Sequence, residues 1–145
     1  MSLAIDANIL LYASDAANAF HDHARQFLER CAAGDEIVYL AWPTLMAYLR
    51  ISTHHAIFSE PLSTQAAMQN VDNLLALPQV RTIGEGEGFW RAYRQLADAT
   101  LPRGNLVPDT HLATILRQHG INTICTHDRD FRRFSFLKVM DPLAP

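Results

Sequence analysis

Short apolar runs alternate along the chain with longer stretches in which apolar residues recur every three or four positions. Short apolar runs are typical of buried strands, and the three-to-four spacing is typical of helices that bury one face. The runs predict strands at 3–5, 37–40, 80–83, 121–126 and 137–140. The spacing predicts helices at 17–33, from Pro43 to residue 51, from Ser63 to a stop before Pro78, and at 85–99 and 109–119. A turn is expected at 6–8, directly after the first strand.

Strands separated by single or paired helices favour a parallel sheet with helices on both faces. No repeat or linker-like stretch divides the sequence, so we expect a single α/β domain over residues 1–145. In sheets of this kind, ligands collect at the carboxyl ends of the strands. The residues that directly follow each predicted strand are therefore the first candidates for a functional site.

The composition narrows the classes of function. Twelve basic and fifteen acidic residues give a formal charge of −3, so the chain has no strong basic field to hold nucleic acid. A nucleic-acid partner would have to be held locally, by a few arginines or by a metal ion. No apolar run reaches the roughly 18 residues of a membrane span, and we expect a cytoplasmic protein without membrane contact. Cys31 and Cys125 are expected to be buried thiols in a reducing compartment.

Carboxylates occur at three places where such a site would form. Asp6 comes directly after the first strand, Asp109 opens a predicted helix, and Asp128 and Asp130 follow the strand at 121–126. Each has an ordinary explanation when taken alone, as an Asx turn, a helix N-cap or a strand-ending turn. Taken together at one sheet edge, they would repel one another unless they shared a cation. Carboxylate oxygens suit Mg²⁺, and such a site suits phosphoryl transfer by metal-activated water.

Several segments have the form of sequence motifs: residues 6–13 (DANILLYA), 48–53 (YLRIST), 104–113 (GNLVPDTHLA) and 126–131 (THDRDF), with Phe134 and 140–143 (MDPL) near the end. In this order they resemble the PIN-domain family, and within it the VapC toxins of bacterial toxin–antitoxin pairs. The resemblance spans essentially the whole chain.

The resemblance implies an α/β PIN-like domain that acts as an endoribonuclease dependent on Mg²⁺, or on Mn²⁺. It implies that Asp6, Asp109 and Asp128 are metal ligands and catalytic residues, with Asp130 as a further catalytic residue that acts as an outer ligand. It also implies an RNA substrate, inhibition by a cognate VapB-type antitoxin, and a homodimer.

One position departs from the family pattern. The family usually carries a glutamate before the aromatic-Leu-Arg step, and this chain has Ala47 there. The change removes one carboxylate and should weaken any second metal site. We therefore expect one ion in the resting site, with a second held mainly by the substrate phosphate.

Arginines near these motifs have two interpretations. Arg50 lies three residues after Ala47 on the same predicted helix face, so it either approaches the site and contacts a phosphate or stays solvated. Arg129, Arg132 and Arg133 form the main basic cluster, which could grip RNA, contact an antitoxin or stay solvated.

Two other functions compete with the ribonuclease. A magnesium phosphohydrolase of the haloacid-dehalogenase type would need an aspartate two positions after Asp6, where this chain has Asn8. A non-catalytic PIN-like protein that only binds RNA or antitoxin would fit the missing glutamate at Ala47.

Overall fold

The computed structural model describes residues 2–144, and the predicted single domain over 1–145 extends beyond this range only by its two terminal residues. Five strands alternate with six helices: β1 Ser2–Ile5, α1 Ala7–Ser14, α2 His21–Ala33, β2 Ile37–Ala41, α3 Trp42–Ser52, α4 Thr64–Leu75, β3 Val80–Ile83, α5 Phe89–Thr100, α6 Leu106–Gln118, β4 Thr123–Cys125 and β5 Lys138–Met140. A 3₁₀ helix, Arg129–Arg133, connects β4 to β5.

The strands form one sheet in the order β3-β2-β1-β4-β5, and every neighbouring pair is parallel. β1 lies at the centre, with Ala4 opposite Tyr39 of β2 on one side and Ile124 of β4 on the other. All five strands therefore end at the same edge, and the predicted α/β parallel sheet is confirmed.

Alternate residues of the strands pack into two separate cores, because successive side chains of a strand point to opposite faces. Leu3 and Ile5 pack with α1 to α4 in one core. Ala4 packs in the other core with α5, α6 and the 3₁₀ helix. The sheet is thus covered by helices on both faces, as the sequence predicts.

The first helix corrects the predicted turn at 6–8. Asp6 ends the strand and also caps α1, since its carboxylate accepts a hydrogen bond from the N–H of Ala7. An N-cap and an Asx turn use the same side-chain bond, and the local sequence did not separate them. The consequence is that Asp6 is fixed at the junction of a central strand and a helix.

Other boundaries move by a few residues for local reasons. The helix predicted at 17–33 begins at His21, because the Asn18 side chain accepts a bond from the N–H of Phe20 and holds a turn there. The helix predicted at 85–99 begins at Phe89, after Gly88 at a φ of 74°. The helix predicted at 109–119 begins at Leu106, because its first turn accepts a proline, Pro108, without losing an internal hydrogen bond.

The connection between α5 and α6 contains an unusual backbone conformation. Leu101 ends α5 at a φ of 48°, in the left-handed region, and it is 78% exposed. Its N–H donates to the carbonyl of Ala97 at 2.7 Å, which closes the last turn of α5. The following loop leads to the first turn of α6, which carries Asp109.

None of the helices within residues 2–144 combines the length and the apolar character needed to cross a lipid bilayer.

Candidate metal centre

The candidate site lies where the two central strands end. Ile5 of β1 pairs with Cys125 of β4, and the N–H of Asp6 donates to the carbonyl of Cys125 at 3.0 Å. The segments that leave these strands, one starting at Asp6 and the other at Thr126, therefore emerge side by side. Sheet topology alone brings these two acidic segments, far apart in sequence, to one place.

Asp6 is held on both carboxylate oxygens. Oδ1 accepts the N–H of Ala7 at 2.8 Å, and Oδ2 accepts the Thr126 hydroxyl at 2.8 Å. The two bonds fix the carboxylate plane before any ligand arrives. The side chain is held rigidly in position.

The Thr126 hydroxyl is the centre of a small hydrogen-bond network. Besides donating to Asp6, its oxygen accepts the Asn8 side-chain amide at 3.2 Å and the N–H of Asp128 at 3.0 Å. Thr126 is 1% exposed, so these bonds are shielded from water. One hydroxyl thus links the segment of Asp6 to the segment of Asp128, and Asn8 acts on it rather than directly on a carboxylate.

Three of the four predicted acids converge directly. Asp109, Asp128 and Asp130 each offer one carboxylate oxygen, and these three oxygens lie within 4.8 Å of one another. Asp109 projects from the first turn of α6, and Asp128 caps the 3₁₀ helix by accepting the N–H of Asp130 at 2.8 Å. Asp6 is outside this group of three, although its charge raises the pKa of Asp109. Asp130, predicted as an outer ligand, belongs to this group of three.

The protonation of these groups reflects their crowding. The pKa of Asp109 is raised from 3.8 to about 7, first by burial and then by the charges of Asp128, Asp6 and Asp130, while Arg133 lowers it. Burial also raises the pKa of Asp6, against the hydrogen bonds from Thr126 and Ala7, and the Asp128 charge adds to the increase. Negative charge is therefore disfavoured here until a cation compensates it.

This donor set fits a hard divalent cation. Carboxylate oxygens are the ligands that Mg²⁺ and Mn²⁺ prefer, and no histidine or cysteine belongs to the group formed within residues 2–144. Because the pKa of Asp109 is raised, binding a cation here would be linked to release of its proton.

An aromatic cluster borders the acids and was not assigned a role from the sequence. His127 Nδ1 lies 2.8 Å from Asp141 Oδ2, and the His127 ring lies 4.6 Å from that of Phe20 and 6.3 Å from that of Tyr12. Burial first, and then the charges of Asp128, Asp6 and Asp141, raise the pKa of the Tyr12 phenol. Tyr12 and Asp141 lie inside the segments that resemble the family, and that resemblance was the sequence signal that could have identified them as functional residues.

The predicted arginines behave differently from one another. Arg50 is exposed, and no ion pair joins it to an acidic residue within 2–144. Arg133 lowers the pKa of Asp109, so its positive charge acts on the site. Ala47 is half-buried on α3 and brings no ligand atom.

Comparisons with known proteins agree with this geometry. The PIN domain profile matches residues 3–137. Ribonuclease VapC48 of Mycobacterium tuberculosis is 45% identical over 144 residues, which cover 99% of both chains.

Two solved structures are similar in fold at 18% sequence identity. The M. tuberculosis toxin VapC20, which cleaves the sarcin-ricin loop, has a TM-score of 0.65 over 90% of this chain and 92% of its own. VapBC2 from Rickettsia felis, bound to a promoter DNA fragment, has a TM-score of 0.67 over 97% of this chain and 98% of its own. The family profile covers residues 3–137, the relative matches over 99% of both chains, and the parallel sheet presents these acids at one edge. The chain therefore belongs to the PIN-domain family, in its VapC branch.

Proposed function

We propose that this protein is a metal-dependent endoribonuclease and the toxin of a toxin–antitoxin pair. The observation that carries the proposal is the convergence of the Asp109, Asp128 and Asp130 oxygens within 4.8 Å, beside the fixed carboxylate of Asp6. The 45% identity to Ribonuclease VapC48 supports RNA as the substrate.

In this proposal Asp6, Asp109 and Asp128 would hold the ion, and Asp130, whose carboxylate lies in the same group as those of Asp109 and Asp128, would adjust its surroundings. When bound, Mg²⁺ or Mn²⁺ would supply an activated water for attack on an RNA phosphodiester. The protein contributes the arrangement: Thr126 and the N–H of Ala7 orient Asp6, and the N–H of Asp130 orients Asp128. Asp109 has to release a proton to serve as a ligand, because its pKa is about 7.

We propose a single ion in the resting site. One group of three metal-ligating residues is found within residues 2–144, and Ala47 leaves α3 without a carboxylate to extend it. Calorimetric titration with Mn²⁺ should give one tight site without RNA. Two tight sites in that titration would contradict this part of the proposal.

The partners follow from the same family membership. Solved relatives such as R. felis VapBC2 are toxin–antitoxin complexes, which supports a VapB-type antitoxin as the inhibitor of this chain. A cytoplasmic location would place it with its RNA substrate, and homodimer formation remains a prediction. Light scattering of the purified chain, alone and with its antitoxin, would measure both assemblies.

The decisive experiment separates three functions. Purified protein is incubated with labelled structured RNA in Mg²⁺ or in EDTA, beside the Asp6→Asn variant. Cleavage that needs Mg²⁺ and is lost in the variant supports the ribonuclease. Hydrolysis of a chromogenic phosphate ester but not of RNA would support the phosphohydrolase, and RNA binding without cleavage would support a non-catalytic protein.

A further inference from the structure

Helix α5 carries an exposed surface with the chemistry of a nucleic-acid contact. Its first turns hold Phe89, Trp90 and Tyr93, and Arg94 lies one turn beyond Trp90 on the same side of the helix. Trp90 is 66% exposed, which is unusual for so large an apolar side chain. We call Trp90, Tyr93, Arg91 and Arg94 the α5 face.

The α5 face is built around a stacked aromatic pair. The rings of Trp90 and Tyr93 are 5.6 Å apart at their centroids and only 8° from parallel. One face of the indole is therefore covered by Tyr93, while most of the Trp90 side chain remains accessible to solvent. A flat ring supported from behind is suited to stacking with a planar partner such as a nucleobase.

The α5 face is connected by ring contacts to α6, the helix that carries the predicted metal ligand Asp109. Tyr93 also contacts Phe89, whose ring meets that of His111 edge-on at 5.3 Å. His111 lies two residues beyond Asp109 on α6, and its Nε2 is 2.6 Å from Glu85 Oε1. The aromatic pair is thus positioned relative to α6, and so relative to the acidic site.

Charge distinguishes between the possible occupants of this surface. The α5 face itself carries Arg91 and Arg94 and no acid; Glu85 and Glu87 precede the helix, and Asp98 and Arg103 lie further along the chain. All three arginines are exposed, and none forms an ion pair within residues 2–144. A second copy of the same face would bring like charges together, whereas RNA offers both phosphates and bases.

We propose that the α5 face binds single-stranded nucleotides of the RNA substrate that flank the cleaved bond. Trp90 stacks on a base, and Arg94 contacts a neighbouring phosphate. This inference rests on the proposed ribonuclease function and adds a binding site for the same substrate. It also accounts for how an acidic protein holds RNA without a broad basic field.

Tryptophan fluorescence gives a direct test, because the chain has two tryptophans. In the Trp42→Phe variant, Trp90 is the sole reporter. Titration with an unstructured RNA of about 12 nucleotides, in EDTA so that it stays intact, should quench that reporter. The Trp90→Phe variant, which retains Trp42, should show a smaller change on the same titration. An unchanged Trp90 signal at RNA concentrations that saturate binding would overturn the proposal.

Affinity and kinetics provide a second test. Trp90→Ala should weaken binding of the same RNA roughly 5- to 100-fold and raise the KM for cleavage with little change in kcat, and Trp90→Phe should keep most of the affinity. Met68→Ala, which shortens a 47% exposed apolar side chain on α4, is the matched control and should change neither. Equal affinities for the Trp90→Ala and Met68→Ala variants would contradict the proposal.

The arginine is tested by salt dependence. Arg94→Gln should reduce the slope of log affinity against log salt concentration by about 0.7, the value for one phosphate contact with a single strand. Arg25→Gln, on α2, is the control and should leave the slope unchanged. An unchanged slope in Arg94→Gln would remove the phosphate contact.

Two further outcomes are decisive. If Trp90→Ala converts a dimer into a monomer in light scattering and leaves RNA affinity unchanged, the α5 face is a self-association surface and the proposal is wrong. If the unmodified protein binds RNA through Trp90 but never cleaves it, the α5 face is an RNA-binding surface, and the proposed nuclease function fails.

Discussion

The two sides of the acidic site are built differently. On one side Asp6 ends the central strand, caps α1 and has hydrogen bonds on both oxygens. On the other side Asp109, Asp128 and Asp130 come from α6 and the 3₁₀ segment, and their oxygens face one another within 4.8 Å. The first side is fixed by the fold itself. The second is a group of like charges that a cation would stabilise.

The difference separates structural from chemical contributions to the site. Burial and the charge of Asp128 raise the pKa of both Asp6 and Asp109, but two hydrogen bonds counter the increase for Asp6, whereas Asp109 has no such bond within residues 2–144 and its pKa is also raised by Asp6 and Asp130. Ion binding should therefore change the Asp109 side far more than the Asp6 side. Each of the following experiments tests that asymmetry.

The largest effect is expected from neutralising the converging acids. Asp109→Asn and Asp128→Asn should each lower RNA cleavage by about 100-fold or more, because each removes a charged ligand of the ion. At about pH 8, where Asp109 is ionised, the metal-free Asp109→Asn variant should also melt at a higher temperature than the unmodified protein, since one of the repelling charges is gone. Gel-based cleavage assays and thermal denaturation in EDTA measure the two effects. Retained cleavage in both variants would refute the assigned ligands.

The next effect concerns the network that holds Asp6. Thr126→Val keeps the side-chain shape but removes the hydroxyl that serves Asp6, Asn8 and Asp128. We expect Mn²⁺ affinity to fall about 10- to 100-fold, as for other groups that orient metal ligands. We also expect a loss of about 1–3 kcal/mol in the free energy of unfolding.

Thr126→Ser, which retains the hydroxyl, is the matched control for both measurements. Calorimetric titration and urea denaturation report the two quantities. If valine and serine at this position give the same Mn²⁺ affinity, the network does not organise the site.

A smaller effect is expected from pH. With its pKa near 7 in the folded state and near 3.8 when unfolded, Asp109 keeps its proton in the folded protein over this range. The metal-free protein should therefore lose stability as pH rises from about 4 to 7, and the affinity for Mn²⁺ should increase over the upper part of that range. Because Asp109 is partly exposed, solvent screening limits the stability change to about 1–2 kcal/mol.

Urea denaturation in EDTA at several pH values, for the unmodified protein and for Asp109→Asn, isolates this contribution. The difference in unfolding free energy between the two proteins should vary with pH. A constant difference would show that Asp109 titrates normally.

The smallest effect is expected from Arg133, whose charge lowers the pKa of Asp109. Arg133→Gln should raise the pKa of Asp109 further, because Arg133 lowers it. The Mn²⁺ affinity profile should then shift to higher pH. Arg132→Gln is the control, because Arg132 is the neighbouring residue and is exposed like Arg133. Identical profiles for the two variants would show that Arg133 acts no more strongly than its neighbour.

Much of this architecture was predictable because strands and carboxylates leave strong local signals. The parallel sheet follows from apolar runs separated by helical stretches, and Asp6 and Asp128 are predicted as site residues because each follows a strand. Helix α1 was missed because its apolar residues are nearly continuous, so they show no helical period, and because Asp6 is equally suited to a turn.

The remaining features depend on contacts between distant segments. The Thr126 hydroxyl donates to Asp6, which lies 120 positions earlier in the sequence, and no local sequence pattern predicts such a bond. The pairing of His127 with Asp141 and the stacking of Trp90 on Tyr93 likewise depend on the placement of side chains. The raised pKa of Asp109 depends on its burial and on the charges of Asp128, Asp6 and Asp130, so it could not be predicted from its position in the sequence.

The left-handed backbone at Leu101 has a consequence for protein engineering. A leucine in this conformation is strained by about 1–2 kcal/mol relative to a glycine, and here its side chain is largely in solvent, where it recovers little of that energy by packing. A more thermostable version of the enzyme could therefore be sought first at this joint, by exchanging Leu101 for asparagine or glycine. The hydrophobic interior and the acidic residues would be left untouched by that redesign.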